Sequence, residues 1–272
     1  VDDSGFVLGE DLAVSEGGVV FRNAILEILQ YKPTRAQVHE IPLLVITPQI
    51  NKYYFLDLAP GRSFVEFMTS QGYQVFIVSW RNPGSEHGDW RLETYCSALI
   101  EALDAIADIT GCPQINTFGF CAGGITMTSL IAYLTATGQG DRINAVSYAV
   151  TLLDFSHPAL ISIMKSNFLL KFAKGSSRIA GVLNGSDLAT MFTMLRPKDL
   201  IWDNWVNNYL MGNPSPVFDI LAWNRDCTNL PAALHEDYLN IFNDNLLAIP
   251  GGFKIHGEPL DLNQITQDAF VV

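Results

Sequence analysis

The sequence predicts an α/β fold: a mostly parallel sheet with helices on both faces and a largely helical insertion capping its carboxyl edge. Two observations carry that prediction. Short, continuous apolar runs alternate with helix-period segments between residues 43 and 153. Such runs lack the polar alternation of a half-wet sheet, so the strands are expected to be buried on both sides. After Phe155 the alternation stops, and aromatic, amphipathic pieces punctuated by Pro and Asn follow to about residue 250. The 272 residues are read as one domain, 1–272, with the insertion at about 155–250. A single α/β domain of this length buries a large core.

The first 40 residues hold scattered apolar pairs and little period to read. Leu43-Leu44-Val45-Ile46, between Pro42 and Pro48, reads as the first buried strand. Ser63 followed by Glu66 spells a helix start, and Phe64, Phe67 and Met68 keep helical spacing until Gly72. Val75 to Val78 is the next strand. Leu92, Tyr95, Leu99, Leu103 and Ile106 mark one face of a long helix that Gly111 and Pro113 end. A strand at Ile115 to Phe120, a helix at Ile125 to Leu134 and a strand at Ala145 to Leu153 complete the series. Phe270-Val271-Val272 reads as the sheet resuming, with the C-terminal part of the core missing beyond it. The chain opens at Val1 without Met and stops on that apolar run, so an excerpt of a longer protein is expected.

Composition narrows the function. With 49% hydrophobic and 16% charged residues, and a mean hydropathy of +0.19, the chain is not disordered. A net charge of −12 argues against nucleic acid and against electrostatic attachment to anionic lipid. No apolar run approaches the ~18 residues needed to span a bilayer, and no secretory leader is visible. Cys96, Cys112, Cys121 and Cys227 form no C-x-x-C pair, so neither a disulfide framework nor a zinc site is expected. A reducing cytoplasm is the simplest setting.

The sharpest signal is Gly119-Phe120-Cys121-Ala122-Gly123-Gly124, lying between a strand and a helix. That context suits a nucleophile elbow, usually spelled G-x-S-x-G. Small flanking residues let strand and helix approach, and the middle residue projects above the sheet. Cys121 is therefore the candidate nucleophile, its thiol pKa expected to be lowered at a helix N-terminus. The Ala122 N–H is the candidate oxyanion donor. The competing reading is a buried structural cysteine, and Cys96, Cys112 and Cys227 are read that way or as incidental.

A cysteine nucleophile needs a histidine base and a carboxylate behind it. In elbow enzymes both follow later in the chain. His39, His87, His157, His235 and His256 do not fall in that order and read as surface or structural histidines. Asp154, after a strand, is the best carboxylate in the chain, against the simpler role of capping a helix. Asp261 and Asp268 are weaker. Trp202, Trp205 and Trp223 fit either the core of the cap or the lining of an apolar channel.

At this point the residues resemble a family. The segments Ile50-Asn51-Lys52-Tyr53-Tyr54-Phe55-Leu56-Asp57-Leu58 and Val78-Ser79-Trp80-Arg81-Asn82-Pro83 carry the likeness with the elbow. So do Leu152-Leu153-Asp154-Phe155, Leu195-Arg196-Pro197-Lys198-Asp199-Leu200-Ile201-Trp202 and Phe218-Asp219-Ile220-Leu221-Ala222-Trp223-Asn224. Thr228-Asn229-Leu230-Pro231 belongs to the same set. Together they span nearly the whole chain and resemble polyhydroxyalkanoate synthases, most closely the class I type. The resemblance implies an α/β-hydrolase core with a cap, and polymerisation of (R)-3-hydroxyacyl-CoA to polyester with release of CoA. It implies that Cys121 carries the acyl chain as a thioester, with oxyanion amides at Ala122 and Ile50. It implies a homodimer, a cytoplasmic place at the polymer granule surface, and no cofactor, the hydroxyacyl-CoA being substrate. The family's catalytic aspartate and histidine are expected beyond Val272, and its N-terminal domain ahead of Val1. Two other readings stay open: a cysteine hydrolase of the dienelactone type, and a truncated, non-catalytic synthase-like binding module.

Overall fold

A computed structural model describes residues 6–156, 167–195, 198–203, 205–213 and 219–272. The chain begins with a hairpin of β1 (Gly17–Arg22) and β2 (Leu26–Tyr31). The Asn23 side chain accepts from the Ile25 and Leu26 N–H groups and sets its turn. Then follow β3 (Leu43–Ile46), α1 (Phe64–Ser70), β4 (Val75–Trp80), α2 (Leu92–Thr110), β5 (Ile115–Phe120), α3 (Ala122–Ala136) and β6 (Ile143–Ala149). The cap region contributes α4 (Asn167–Ala180), β7 (Val182–Leu183), α5 (Gly185–Leu195), α6 (Asp219–Arg225), β8 (Leu230–Pro231) and α7 (Ala232–Asp244). A small β9 (Lys254–Ile255) and β10 (Glu258–Pro259) hairpin precedes β11 (Asp268–Val271).

The main sheet of the described residues has the order β1-β2-β4-β3-β5-β6-β11. β4, β3, β5, β6 and β11 run parallel, while the hairpin joins antiparallel at one edge. Alternate residues of one strand enter opposite cores. Leu44 and Ile46 pack with α2 and α3, whereas Leu43 and Val45 pack with α1. That is why the central strands read as unbroken apolar runs.

The helix signals hold where the caps are local. Ser63 Oγ accepts from the Glu66 N–H at 3.0 Å. Glu66 does not close the reciprocal half of a capping box; its carboxylate takes the Gly61 N–H instead. Gly111 ends α2 in the left-handed conformation at φ 69°.

Two expectations fail. The opening 40 residues are not unpatterned: Leu26, Ile28 and Tyr31 are buried from β2, and only the exposed β1 hides the period. The strand expected to run to Leu153 ends at Ala149. Val150 turns to φ 48°, and Val150 and Leu152 are exposed. The chain leaves the sheet there to form the rim of the site. The resumption of the sheet at the C-terminal end is as expected, with β11 pairing parallel to β6.

Candidate active site at the strand-to-helix elbow

Cys121 sits between β5 and α3 with φ 49° and ψ −121°. A non-glycine residue in that region is strained by roughly 1–3 kcal/mol, so the surroundings must hold it. They do so through backbone bonds. The Cys121 N–H donates to the Ala149 carbonyl at 3.0 Å, and the Cys121 carbonyl accepts from Gly124 N–H at 2.9 Å. Thr151, just past β6, places its hydroxyl among the Gly119, Cys121 and Ala149 carbonyls.

The glycines are required by close approach. A Cβ on Gly119 would stand 2.5 Å from the Gly124 Cα. One on Gly123 would collide with the Ile46 carbonyl and stand 2.6 Å from that of Thr47. One on Gly124 would collide with Thr151. The first turn of α3 is thereby pressed against the carboxyl ends of β3 and β6, which brings the loop after β3 to the elbow.

Cys121 is open to solvent as a residue. The walls of the elbow nevertheless withhold water from its sulfur, and this desolvation pushes the thiol pKa up, while the neighbouring Ala122 N–H pulls part of the way back. The expected lowering of the thiol pKa is therefore not found. Desolvation outweighs the single amide, so the thiol needs a base before it can attack.

Ala122 opens α3, so its N–H is one of the free donors at the head of that helix, next to the cysteine. Ile50 lies half-buried in the turn after β3. That loop is tied down on every side. The Trp80 indole N–H donates to the Thr47 carbonyl at 2.7 Å, and Thr47 Oγ1 donates to the Val78 carbonyl at 2.9 Å. Gln49 joins Thr126 of α3 and Tyr238 of α7. Sequence reading missed Gln49, Thr126 and Tyr238. No local pattern marks them, because their partners lie up to 189 residues apart.

The other expected acids and bases lie elsewhere. Asp154 accepts from Ser156 N–H at 2.9 Å and from the Asn245 side chain at 2.8 Å. It works as a turn cap bracketed to the end of α7. His256 bonds Ser97 and stacks edge-on against Tyr133. Tyr133 is eleven residues past Ala122, about 16 Å along a helix rising 1.5 Å per residue, so His256 is remote from the thiol. His87 accepts from Gly84 N–H and packs on Trp90. His39 packs on Tyr73. His235 is buried against Ser177, and burial, with Lys174 nearby, lowers its pKa to about 4. Asp261 caps a short turn through Asn263, and Asp268 is exposed on β11. His157 lies outside the described residues.

The aromatic residues divide. Trp202 is 60% exposed and Trp205 49%, the latter stacked on Tyr209, so neither is cap core. Trp223 is half-buried and joins Phe55, which meets Phe120 next to the cysteine. Phe64 and Phe118 complete this aromatic wall.

Among the described residues no group of three or more His, Cys, Asp or Glu is placed to hold a metal ion, and no helix is long and apolar enough to cross a membrane.

Comparison with known proteins agrees with this architecture. Residues 51–271 match the family model described as the alpha/beta hydrolase fold. Residues 1–68 match the one described as the N-terminus of poly-beta-hydroxybutyrate polymerase (PhaC). Poly(3-hydroxyalkanoate) polymerase 2 of Ectopseudomonas oleovorans is 47% identical over 272 residues, 100% of this chain and 49% of the relative. Polymerase 1 of the same organism is 46% identical over 99% of this chain and 48% of its own. The polymerase subunit of Cupriavidus necator is 39% identical over 99% and 47%. The chain thus spans about half the length of the curated relatives it matches. A cysteine at positive φ on a strand-to-helix elbow agrees with the fold match: the chain belongs to the α/β-hydrolase fold family, and along its whole length it is similar to poly(3-hydroxyalkanoate) polymerases.

Proposed function

We propose that this chain carries the nucleophile and part of the oxyanion site of a polyester-forming acyltransferase acting on (R)-3-hydroxyacyl-CoA. The observation that carries the reading is Cys121, held at positive φ at the head of α3 on a turn whose glycines permit no Cβ. In the proposed step a base takes the thiol proton, and the thiolate attacks the thioester carbonyl. The Ala122 and Ile50 N–H groups hold the oxyanion. The C–S bond to CoA breaks, CoA leaves as its thiol after taking up a proton, and an acyl thioester remains on Cys121. The 3-hydroxyl of an acyl unit then gives its proton to the base and attacks the carbonyl of a second thioester. The C–S bond of that thioester breaks, its sulfur leaves as a thiol on taking up the proton, and the ester link remains.

A thiol suits this chemistry because exchange between two thioesters is near balance, whereas an oxygen ester would be a deeper trap. The raised thiol pKa makes a base necessary, and the described histidines are engaged elsewhere. We place that base and its carboxylate in the polypeptide beyond Val272. The aromatic wall from Phe55 to Trp223 supports a dry acyl site, in which water is kept from the acyl-enzyme. The transfer draws on no cofactor. In this reading the enzyme is a cytoplasmic homodimer at the granule surface.

The test is CoA release from (R)-3-hydroxybutyryl-CoA and from a medium-chain homologue, using this chain and one extended past Val272. Release with polymer by the extended chain alone is expected, lost in Cys121→Ala. Free hydroxy acid in place of polymer would favour a hydrolase. Release by neither chain, on either substrate, would favour a non-catalytic module.

A further inference from the structure

Behind the elbow three side chains close a hydrogen-bonded ring. Gln49 Nε2–H donates to Thr126 Oγ1 at 2.8 Å, the Thr126 and Tyr238 hydroxyls meet at 3.0 Å, and Tyr238 O–H donates to Gln49 Oε1 at 2.9 Å. Each hydroxyl has one proton, so a one-way circuit from Gln49 to Thr126 to Tyr238 and back satisfies all three groups. Gln49 and Thr126 are essentially sealed from solvent, at 2% and 0% exposure. In such surroundings a lost partner is not replaced by water, and ring members polarise one another.

The three residues come from three different elements. Gln49 belongs to the loop after β3, and its carbonyl carbon shares a peptide bond with the Ile50 nitrogen. Thr126 lies one turn into α3; in this circuit its one proton goes to Tyr238, and the Ala122 carbonyl, 3.2 Å away, is the competing acceptor. Tyr238 comes from α7, 112 residues beyond Thr126. α7 is itself fixed: the Asp237 carboxylate accepts from the Leu92 N–H and from Arg91, both at 3.0 Å. The ring therefore ties the Gln49–Ile50 peptide to the helix that carries Cys121, using a rigid element of the cap as reference.

We propose that Tyr238 is a positioning residue for the oxyanion site: through Gln49 it fixes the Ile50 N–H relative to the Ala122 N–H, so that both aim at one oxygen. This rests on the reading of Cys121 as nucleophile. The cap is thereby part of the catalytic geometry as well as its cover. An oxyanion donor acts only when preorganised, and small misplacements weaken it steeply.

The experiment combines hydrogen exchange on the chain with kinetics on the polymerase extended past Val272. Tyr238→Phe removes one oxygen and keeps the ring's volume. Exchange at residues 49–51 is expected to quicken at least about 10-fold, with β3 and β5 unchanged, since an opening confined to the loop leaves the core protected. The kcat for acyl-enzyme formation is expected to fall about 10- to 100-fold with KM nearly constant, less than the ~10²–10³-fold loss of a whole oxyanion donor. The pH profile of Cys121 alkylation should not move. Gln49→Leu should reproduce the effect and be non-additive with Tyr238→Phe. Exchange rising throughout the molecule would make Tyr238 merely structural. A shifted alkylation profile would make it act on the thiol, and an unchanged kcat would overturn the proposal outright. Turnover surviving in Cys121→Ala would instead sink the nucleophile reading, while the exchange result would still report on the loop.

Discussion

Trp223 of the cap donates its indole N–H to the carbonyl of Lys52 at 2.9 Å, across 171 residues of sequence. The contact is one part of a clasp between α6 and the short turn after Ile50. Asp226 accepts from the Tyr54 hydroxyl at 2.9 Å and faces Lys52 Nζ at 3.8 Å. Asp219, 4% exposed, pairs with Arg62 at 2.7 Å. The clasp closes the cap over the aromatic wall beside Cys121. Trp223→Phe keeps the ring against Phe55 and removes only the N–H, so about 1 kcal/mol of stability should be lost. Asp226→Ala should lose more than Asp226→Asn, because the amide still accepts from Tyr54. The Lys52 pair adds little at its exposure. Urea unfolding of the three variants would check the order.

The backbone at Cys121 makes a second prediction. At φ 49° and ψ −121° glycine is unstrained, whereas alanine keeps the clash. Relief of strain is partly offset by the greater freedom of glycine in the unfolded chain. Cys121→Gly should be about 1 kcal/mol more stable than Cys121→Ala, although neither can form a thioester. Calorimetry on the pair decides it. Equal stabilities would mean that the elbow imposes no strain.

The packing at Gly123 gives a third. A methyl there must displace the carbonyls of Ile46 and Thr47, which are fixed by sheet pairing and by the Trp80 indole bond. Overpacking against backbone costs about 1–3 kcal/mol or more. Gly123→Ala should also move the loop that carries Ile50, so thioester formation should fall further than stability alone explains. Gly111→Ala is the control. Its left-handed φ of 69° makes it strained with no steric neighbour within 4 Å, so it should lose stability without affecting the elbow.

The central sheet and the elbow were legible because their causes are local. Leu43 to Ile46 are flanked by prolines and buried on both faces. Gly119, Gly123 and Gly124 are small for reasons a few residues away. Ser63 capped α1 as its spelling predicts. The end of β6 was misjudged because Val150 and Leu152 are as apolar as strand residues. What turns the chain there is the packing of Thr151 on Gly124 and the pairing of Val150 N–H with the Val272 carbonyl. The Gln49, Thr126 and Tyr238 ring was invisible for the same physical reason: a hydrogen bond between distant elements leaves no period. Asp154 illustrates the converse. A strand-end aspartate resembles a catalytic one in sequence, and only its bonds to Ser156 and Asn245 show it to be a cap.

The last prediction concerns acid. His235 on α7 bonds Ser177 on α4, and burial, with Lys174 adding to it, lowers its pKa from 6.5 to about 4. The folded protein therefore binds fewer protons at this site than the unfolded chain between pH 4 and 6.5. Stability from this group is complete above pH 6.5 and is lost as pH falls toward 4. A shift of that size corresponds to about 3 kcal/mol. Asp237, two residues along the same helix, has the opposite sign. Burial raises its carboxyl pKa, so protonation in acid favours the fold at that site and partly masks the loss. His235→Gln keeps a partner for Ser177 and cannot titrate. Its stability should fall less between pH 6.5 and 4 than that of the parent, although the two differ little in slope above pH 7. Because α7 also carries Tyr238, the same acid range should loosen the loop at Gln49 in the parent before global unfolding, and less so in His235→Gln. Hydrogen exchange at residues 49–51, followed from pH 7 to pH 5 in both proteins and corrected for intrinsic rates, would read this directly. Equal behaviour of the two would show that His235 holds α7 by packing alone.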